Sequence, residues 1–346
     1  AGYAIYTWAA PGLSVDGITA TDAYQGVELY ASDGSSVRNS LIGSEGYALY
    51  VTSSNGVTVS SSLMQAGDTS VNADYGSSDL LVQDSTITSQ YESGLAFGDY
   101  CRNLTVRNSY VEGSDAGIYT GYARGQVLID GSTERGFYGA YADYSPISLS
   151  IVGSTVEGWQ GDGIRAAEIG DVSIDGSTIE SEGSFADALR VDGNFQDVSI
   201  RNSTIESYGY AGVSGQRLNR VTIDGSSITT YWAGIGVYIG DAEDVQIRGS
   251  QLTAVDGENE AYGVYLYDVG STTIDGNSIV GPLYEGIYVE EGNNFDVENA
   301  AITRNSIAGA TYAIGVDGSA GGIDVKGLTI SENSATANAD SGYGTG

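Results

Sequence analysis

Histidine is absent from this 346-residue chain. Without it, zinc sites of the usual His/Cys kind and Ser-His-Asp or Cys-His nucleophile systems are excluded. A single cysteine, Cys101, cannot form an internal disulfide and does not decide the redox compartment. Lysine is nearly absent too. Of 13 basic residues only Lys326 is a lysine, in the penultimate stretch, which all but excludes a lyase built on a lysine base. Against 45 acidic residues this leaves a formal charge of −32. That balance argues against nucleic acid, whose backbone needs a basic surface, and against anionic lipid. No apolar run is long enough for a membrane span. No basic-plus-apolar leader opens the chain, which reads as a mature or trimmed product. A large acidic excess fits a halophilic protein, working where salt screens self-repulsion. An extracellular or cell-surface setting is expected.

What is present is a phrase repeated fourteen times: apolar, any, Val or Ile, Asp or Arg, Gly or Asn, Ser, any, Ile. Clean copies run Val172–Ile179 and Val221–Ile228. Its second apolar residue falls at Val15, Val37, Val59, Val82, Val106, Ile129, Ile151, Ile174, Ile200, Ile223, Ile247, Ile274, Ile302 and Ile330, at spacings of 22 to 28 residues. Such a period means stacked repeats. Each repeat alternates apolar and polar residues at period two, and nothing carries a helical period. Three short strands fit in each repeat: one after a Gly (at Gly26, Gly163 and Gly286), the Val-x-Ile unit, and a Ser-x-Ile unit after an Asp-Gly or Arg-Asn corner. This is one coil of a parallel β-helix. Fourteen coils at a strand spacing of about 4.8 Å would make a rod about 65 Å long, right-handed by the usual crossover preference.

Columns down the stack support the register. Three residues past the marker stands Ser in ten successive coils, from Ser40 to Ser250, and then Asn277, Asn305 and Asn333. These point inward at a corner and need partners in the backbone or one coil away. Two residues later the column is apolar from Ile42 to Ile307, except Glu134, whose coil is expected to deviate rather than bury a carboxylate. The outward corner column reads Arg107, Asp130, Val152, Asp175, Arg201, Asp224, Arg248, Asp275. Opposite charges one strand apart help modestly, so these arginines are read as structural.

With these repeats the chain resembles the pectate-lyase-like family of right-handed parallel β-helices, the pectin-lyase fold, over essentially its whole length. The resemblance implies an all-β, single-stranded parallel β-helix of about 14 coils. It does not select a function, because the fold hosts lyases, hydrolases, epimerases, esterases, phage tailspikes and non-catalytic surface proteins. The His-bearing motifs of the family's polygalacturonases and mannuronan epimerases cannot be present, and the pectin methylesterase pattern is not matched.

Carboxylate and arginine chemistry remains. The outward column of the Gly-led strand reads Tyr6, Glu28, Tyr50, Asn72, Ala96, Tyr119, Tyr141, Arg165, Arg190, Ser214, Gly236, Tyr265, Tyr288, Gly315. The next adds Trp8, Tyr30, Asp143, Asp192, Gln216, Tyr238 and Tyr267. On this aromatic face Tyr119, Tyr141, Arg165, Arg190, Tyr265 and Tyr288 are the glycan-contacting candidates. At its centre Asp162-Gly-Ile-Arg165 and Asp187-Ala-Leu-Arg190 recur 25 residues apart, with Asp192 beside them. Paired carboxyls can do glycoside chemistry. The resemblance to pectate lyases would imply an Arg base, with Ca²⁺ neutralising a uronate. Asp-x-x-Arg pairs on adjacent strands also make ladder salt bridges, and Tyr suits exposed strands. A separate acidic loop places Asp256, Glu258 and Glu260 on alternate positions. Oxygen clusters bind Ca²⁺, but the spacing matches no loop motif, and a solvated acidic turn is the preferred reading. The fold requires no cofactor, and Ca²⁺ is the one ion these residues would take.

The leading expectation is a non-catalytic extracellular β-helix, residues 1–334, followed by a Gly/Ser-rich tail, 335–346. It would serve as a surface, matrix or filament protein with a glycan-binding face. The alternative is a polysaccharide lyase or glycoside hydrolase using Asp162, Arg165, Asp187, Arg190 and Asp192. Neither end has a recognisable helical cap. The first coil (Ile5, Leu13, Val15) and the last (Ile323, Val325, Leu328, Ile330) are expected to stack head-to-tail with other copies.

Overall fold

The computed structural model describes residues 2–193, 196–232, 234–256, 261–292, 298–318 and 326–336. Among these residues there is no helix. The fold is an all-β, right-handed parallel β-solenoid, its fourteen markers enclosing about 13 turns. It divides into two compact units, Ala1–Trp159 with Ile164–Gly170, and Gln160–Gly163 with Asp171–Gly346.

In the first unit a coil consists of three strands, as in Gln25–Tyr30, Ser36–Arg38 and Leu41–Ser44. Markers Val15, Val37, Val59, Val82, Val106, Ile129 and Ile151 are register partners on successive parallel strands. In the second unit Ile174, Ile200, Ile223, Ile247, Ile274, Ile302 and Ile330 pair in the same way. All are buried except Ile330, which is 48% exposed. Alternation at period two sends these β-branched side chains inward, where they suit a half-buried pleated surface. In three coils of the second unit the first and second strands run together, as Ala211–Asp224, Ile235–Arg248 and Tyr262–Asp275. There the corner narrows to one left-handed residue, Arg217, Asp241 or Asp268.

The Asp-Gly or Arg-Asn corner has a conformational reason. Its second residue has positive φ throughout, as at Asn39 (47°), Asn108 (46°), Gly176 (57°) and Asn202 (48°). Gly and Asn are the residues that visit this region most readily. The following Ser closes the corner. Ser203 Oγ donates to the Arg201 carbonyl at 2.6 Å and accepts the Ser177 N–H at 3.2 Å. The Ser203 N–H in turn donates to Ser226 Oγ at 3.2 Å. The same ladder runs from Ser40 to Ser154 in the first unit. In the second it ends on amides, with the Asn277 N–H donating to Asn305 Oδ1 at 2.9 Å and Asn277 Nδ2 to the Ile247 carbonyl at 2.8 Å. Each buried Ser and Asn of this ladder thus finds partners.

Two expectations are corrected. The coil carrying Glu134 does not deviate: Glu134 pairs in register with Val111 and Val156 and is fully buried. Its oxygens have no hydrogen-bond partner, and burial raises its pKa well above the ordinary carboxylate value. Distorting the strand would sacrifice ladder hydrogen bonds on both sides, so the side chain is held as a neutral acid instead. Secondly, Tyr238, not Gly236, occupies the first outward column, between Ser214 and Tyr265. Gly234 and Gly236 lie two residues apart, so alternation alone does not say which one leads the strand.

Candidate functional site

In the first unit the first outward column holds in register without a break: Tyr6, Glu28, Tyr50, Asn72, Ala96, Tyr119, Tyr141, Arg165. Rings cluster on either side of the small residues. Tyr47 stacks on Tyr50 at 5.3 Å, and Tyr119 meets Tyr141 at 5.5 Å. The Arg165 guanidinium lies over the Tyr138 and Tyr141 rings at 5.9 and 5.8 Å, and its Nη1 donates to Tyr138 Oη at 3.4 Å. Burial pushes Tyr50 and Tyr141 up to about 12, with Asp74 and Asp143 adding to the respective shifts. Between the ring clusters, Asn72, Ala96, Gly98 and Gly121 leave a groove of about 610 Å³, walled by Tyr47, Tyr91, Tyr119 and Tyr122. A Cβ on Gly121 would meet Tyr119 Oη at 2.5 Å, so glycine there sets the position of that ring.

Sequence reasoning named Tyr119 but missed this groove. The available signal was the interruption of an aromatic column by Asn72 and Ala96. A second signal was the recurrence of Tyr75, Tyr100, Tyr122 and Tyr144 at one corner. All four have positive φ and are more than half exposed.

In the second unit Asp162 and Asp187 act first as ladder residues. Asp162 Oδ1 accepts the Asp187 N–H at 2.9 Å, and Asp187 Oδ1 accepts the Ala211 N–H at 2.9 Å. Both are 5% exposed. Asp187 Oδ2 accepts from Ser214 Oγ. Burial pushes Asp187 up to about 6, with Asp162 adding to the rise and Ser214 opposing it. Arg190 Nε donates to Asp192 Oδ2 at 2.8 Å, an ion pair that holds the guanidinium charged. Asp187, Arg190 and Asp192 share a cleft of about 240 Å³ with Tyr210, Ser214, Gln216 and Tyr238. Arg165 belongs to the first unit. Further along, Tyr238, Tyr265 and Tyr288 stand on adjacent strands, with ring centroids 5.3 Å apart at each step. Tyr265 Oη donates to Glu290. Glu285 is pushed up to about 7 by burial, then by the charge of Glu290.

Of the suggested metal ligands, Asp256 is exposed in a bend, while Glu258 and Glu260 lie outside the described residues. Among the described residues no group of three or more Asp, Glu, Cys or His could hold a metal ion. No helix among them is long and apolar enough to cross a membrane.

Comparison with curated proteins gave no match. A family described as periplasmic copper-binding protein (NosD) matches residues 1–146. The crystal structure of Dettilon tailspike protein (gp208) is similar at 12% identity and a TM-score of 0.46, over 82% of this chain. The chain spans 62% of that tailspike chain. The family described as right handed beta helix region matches residues 136–258 and 235–345, more than half of the sequence. With its parallel coils, inward markers and corner ladders, the chain belongs to the right-handed β-helix family.

Proposed function

We propose that this is a non-catalytic extracellular or cell-surface β-helix that binds polysaccharide along its Gly-led face and associates with its own kind. The observation that carries the reading is the unbroken register from Tyr6 to Arg165, with rings flanking a groove. Tyrosine offers an apolar ring face to a sugar and a hydroxyl to its polar edge, and polar groups beside the rings can fix a sugar's orientation. The match of residues 1–146 to a family named periplasmic supports a setting outside the cytoplasm.

The copper in that family's name does not suit these residues. There is no histidine, and the sole Cys101 and the sole Met64 are both fully buried. Burial pushes the Cys101 thiol up to about 11, away from the thiolate that binds metal.

The proposed self-association would use Ile5 and Leu13, which are part-buried, and Leu328 and Ile330, which are 38% and 48% exposed, while Tyr6 and Trp8 point outward along the face. Val15 is buried, and Ile323 and Val325 lie outside the described residues.

A second reading, a glycoside hydrolase or lyase, is favoured by one observation: Asp187 is held near neutral titration beside Arg190 and Asp192 in a cleft. Calorimetry with neutral glycan oligomers tests the binding reading. Tyr119→Ala and Tyr141→Ala should each weaken binding about three- to tenfold, with no new reducing ends or unsaturated product. Absence of binding to any glycan overturns it. Turnover abolished by Arg190→Ala or Asp192→Ala establishes the enzyme instead.

A further inference from the structure

The groove of the first unit has an electrostatic character that narrows its ligand. Four carboxylates line it, Asp74, Glu92, Asp99 and Asp115, and no arginine or lysine does. Glu92, Asp99 and Asp115 are exposed and Asp74 is half-buried. Among the described residues none of the four is in an ion pair, whereas Asp192 in the other unit's cleft is neutralised by Arg190. Asp74 and Asp99 share a side-chain hydrogen bond, and the remaining partners are neutral. Thr69 Oγ1 donates to Glu92 Oε2 at 2.9 Å, and the Tyr75 N–H donates to Asp74 Oδ1 at 2.8 Å.

The negative potential is therefore uncompensated and open to a ligand. It is also focused, because the groove walls are rings that replace water with low-dielectric material. Asp74 is raised by burial and further by the charge of Asp99, as expected where carboxylates crowd. Ring faces carry negative quadrupole potential, so Tyr47, Tyr91, Tyr119 and Tyr122 add attraction for a cation and none for an anion. A uronate polymer placed here would meet like charge at every position. A neutral polymer would leave the carboxylates uncompensated. A polymer with protonated amines would match both the carboxylates and the rings.

We propose that this groove binds a polysaccharide carrying protonated amino groups, of the glucosamine-polymer class, and discriminates against polyuronates. This rests on the glycan-binding reading of the face and names the charge of its ligand.

The test compares three oligomers of equal length on the intact chain by calorimetry: glucosamine, N-acetylglucosamine and galacturonate. The glucosamine oligomer should bind at least about tenfold tighter than its acetylated counterpart at about 0.05 M salt, with the margin shrinking at about 0.5 M as screening increases. Galacturonate should bind weakest. Asp99→Asn combined with Asp115→Asn should remove most of the margin between the charged and the neutral oligomer. Asn tolerates the left-handed backbone at position 99, and an unchanged melting temperature confirms folding. Tyr119→Ala should weaken both amino-sugar oligomers alike. Equal affinity for charged and neutral oligomers, a margin that survives the double substitution, or preference for galacturonate overturns this inference and leaves the glycan-binding reading standing. Binding of none of the three overturns both.

Discussion

Replacing Glu134 with isoleucine should stabilise the protein, and increasingly so as the pH rises. The carboxyl is fully buried in an apolar column between Val111 and Val156, and neither oxygen has a hydrogen-bond partner. Burying such a group without a partner costs about 1–3 kcal/mol even when it is neutral. The unfolded chain adds a second effect. There the carboxyl titrates near about 4.3, whereas in the folded chain burial raises its pKa well above the ordinary value. A raised folded pKa means that stability is fully present below the unfolded pKa and is lost as the pH rises toward the folded one, because unfolding then releases a proton. The loss is up to about 1.4 kcal/mol per pH unit across that window. Isoleucine carries neither term, is β-branched as the strand prefers, and matches most of its column, which includes Ile87 and Ile179. Urea denaturation should therefore favour Glu134→Ile by about 1–3 kcal/mol near pH 4 and by more near pH 7. Glu134→Gln separates the two terms: it keeps a buried polar group but should remove this residue's contribution to the pH dependence, so that its gap from Glu134→Ile stays constant with pH. If Glu134→Ile is less stable than the parent near pH 7, or the gap does not change with pH, the buried neutral acid is refuted.

Other outcomes follow from the ladders and edges. Ile200→Ala, at a fully buried marker, should cost about 2–5 kcal/mol. Ser203→Ala should cost about 1–3 kcal/mol, because it strands the Ser177 N–H; a neutral result in the same denaturation series would overturn the ladder's energetic role. Light scattering from about 0.01 to about 1 M salt should show end-to-end oligomers that lengthen as the Debye length falls from about 30 to about 3 Å and the charge of −32 is screened. Monodisperse monomer over the whole range would refute self-association.

The linear sequence determined the coil, its strands and the inward face, because those depend on quantities written along the chain. Period-two alternation decides which way Ile174 or Ile200 points, and a Gly or Asn in the corner decides where the chain turns. The Ser40-to-Ser250 ladder was legible for the same reason, and so was the column from Tyr6 to Arg165. Only the tertiary structure decided features that depend on neighbouring coils. Coil length varies from 22 to 28 residues, so a column extrapolated by parity slips where two glycines compete, as at Tyr238. Asp162 and Asp187, alike in sequence to an acid pair, each commit one oxygen to a backbone N–H one coil away. The groove is formed by side chains that are small only relative to rings on adjacent strands. Its charge comes from Asp74 and Glu92 of one coil and from Asp99 and Asp115 of the next. Alternation specifies the face a side chain occupies. The depth of a groove and the company of a carboxylate are set by packing across strands about 4.8 Å apart, between residues more than twenty positions distant in the chain.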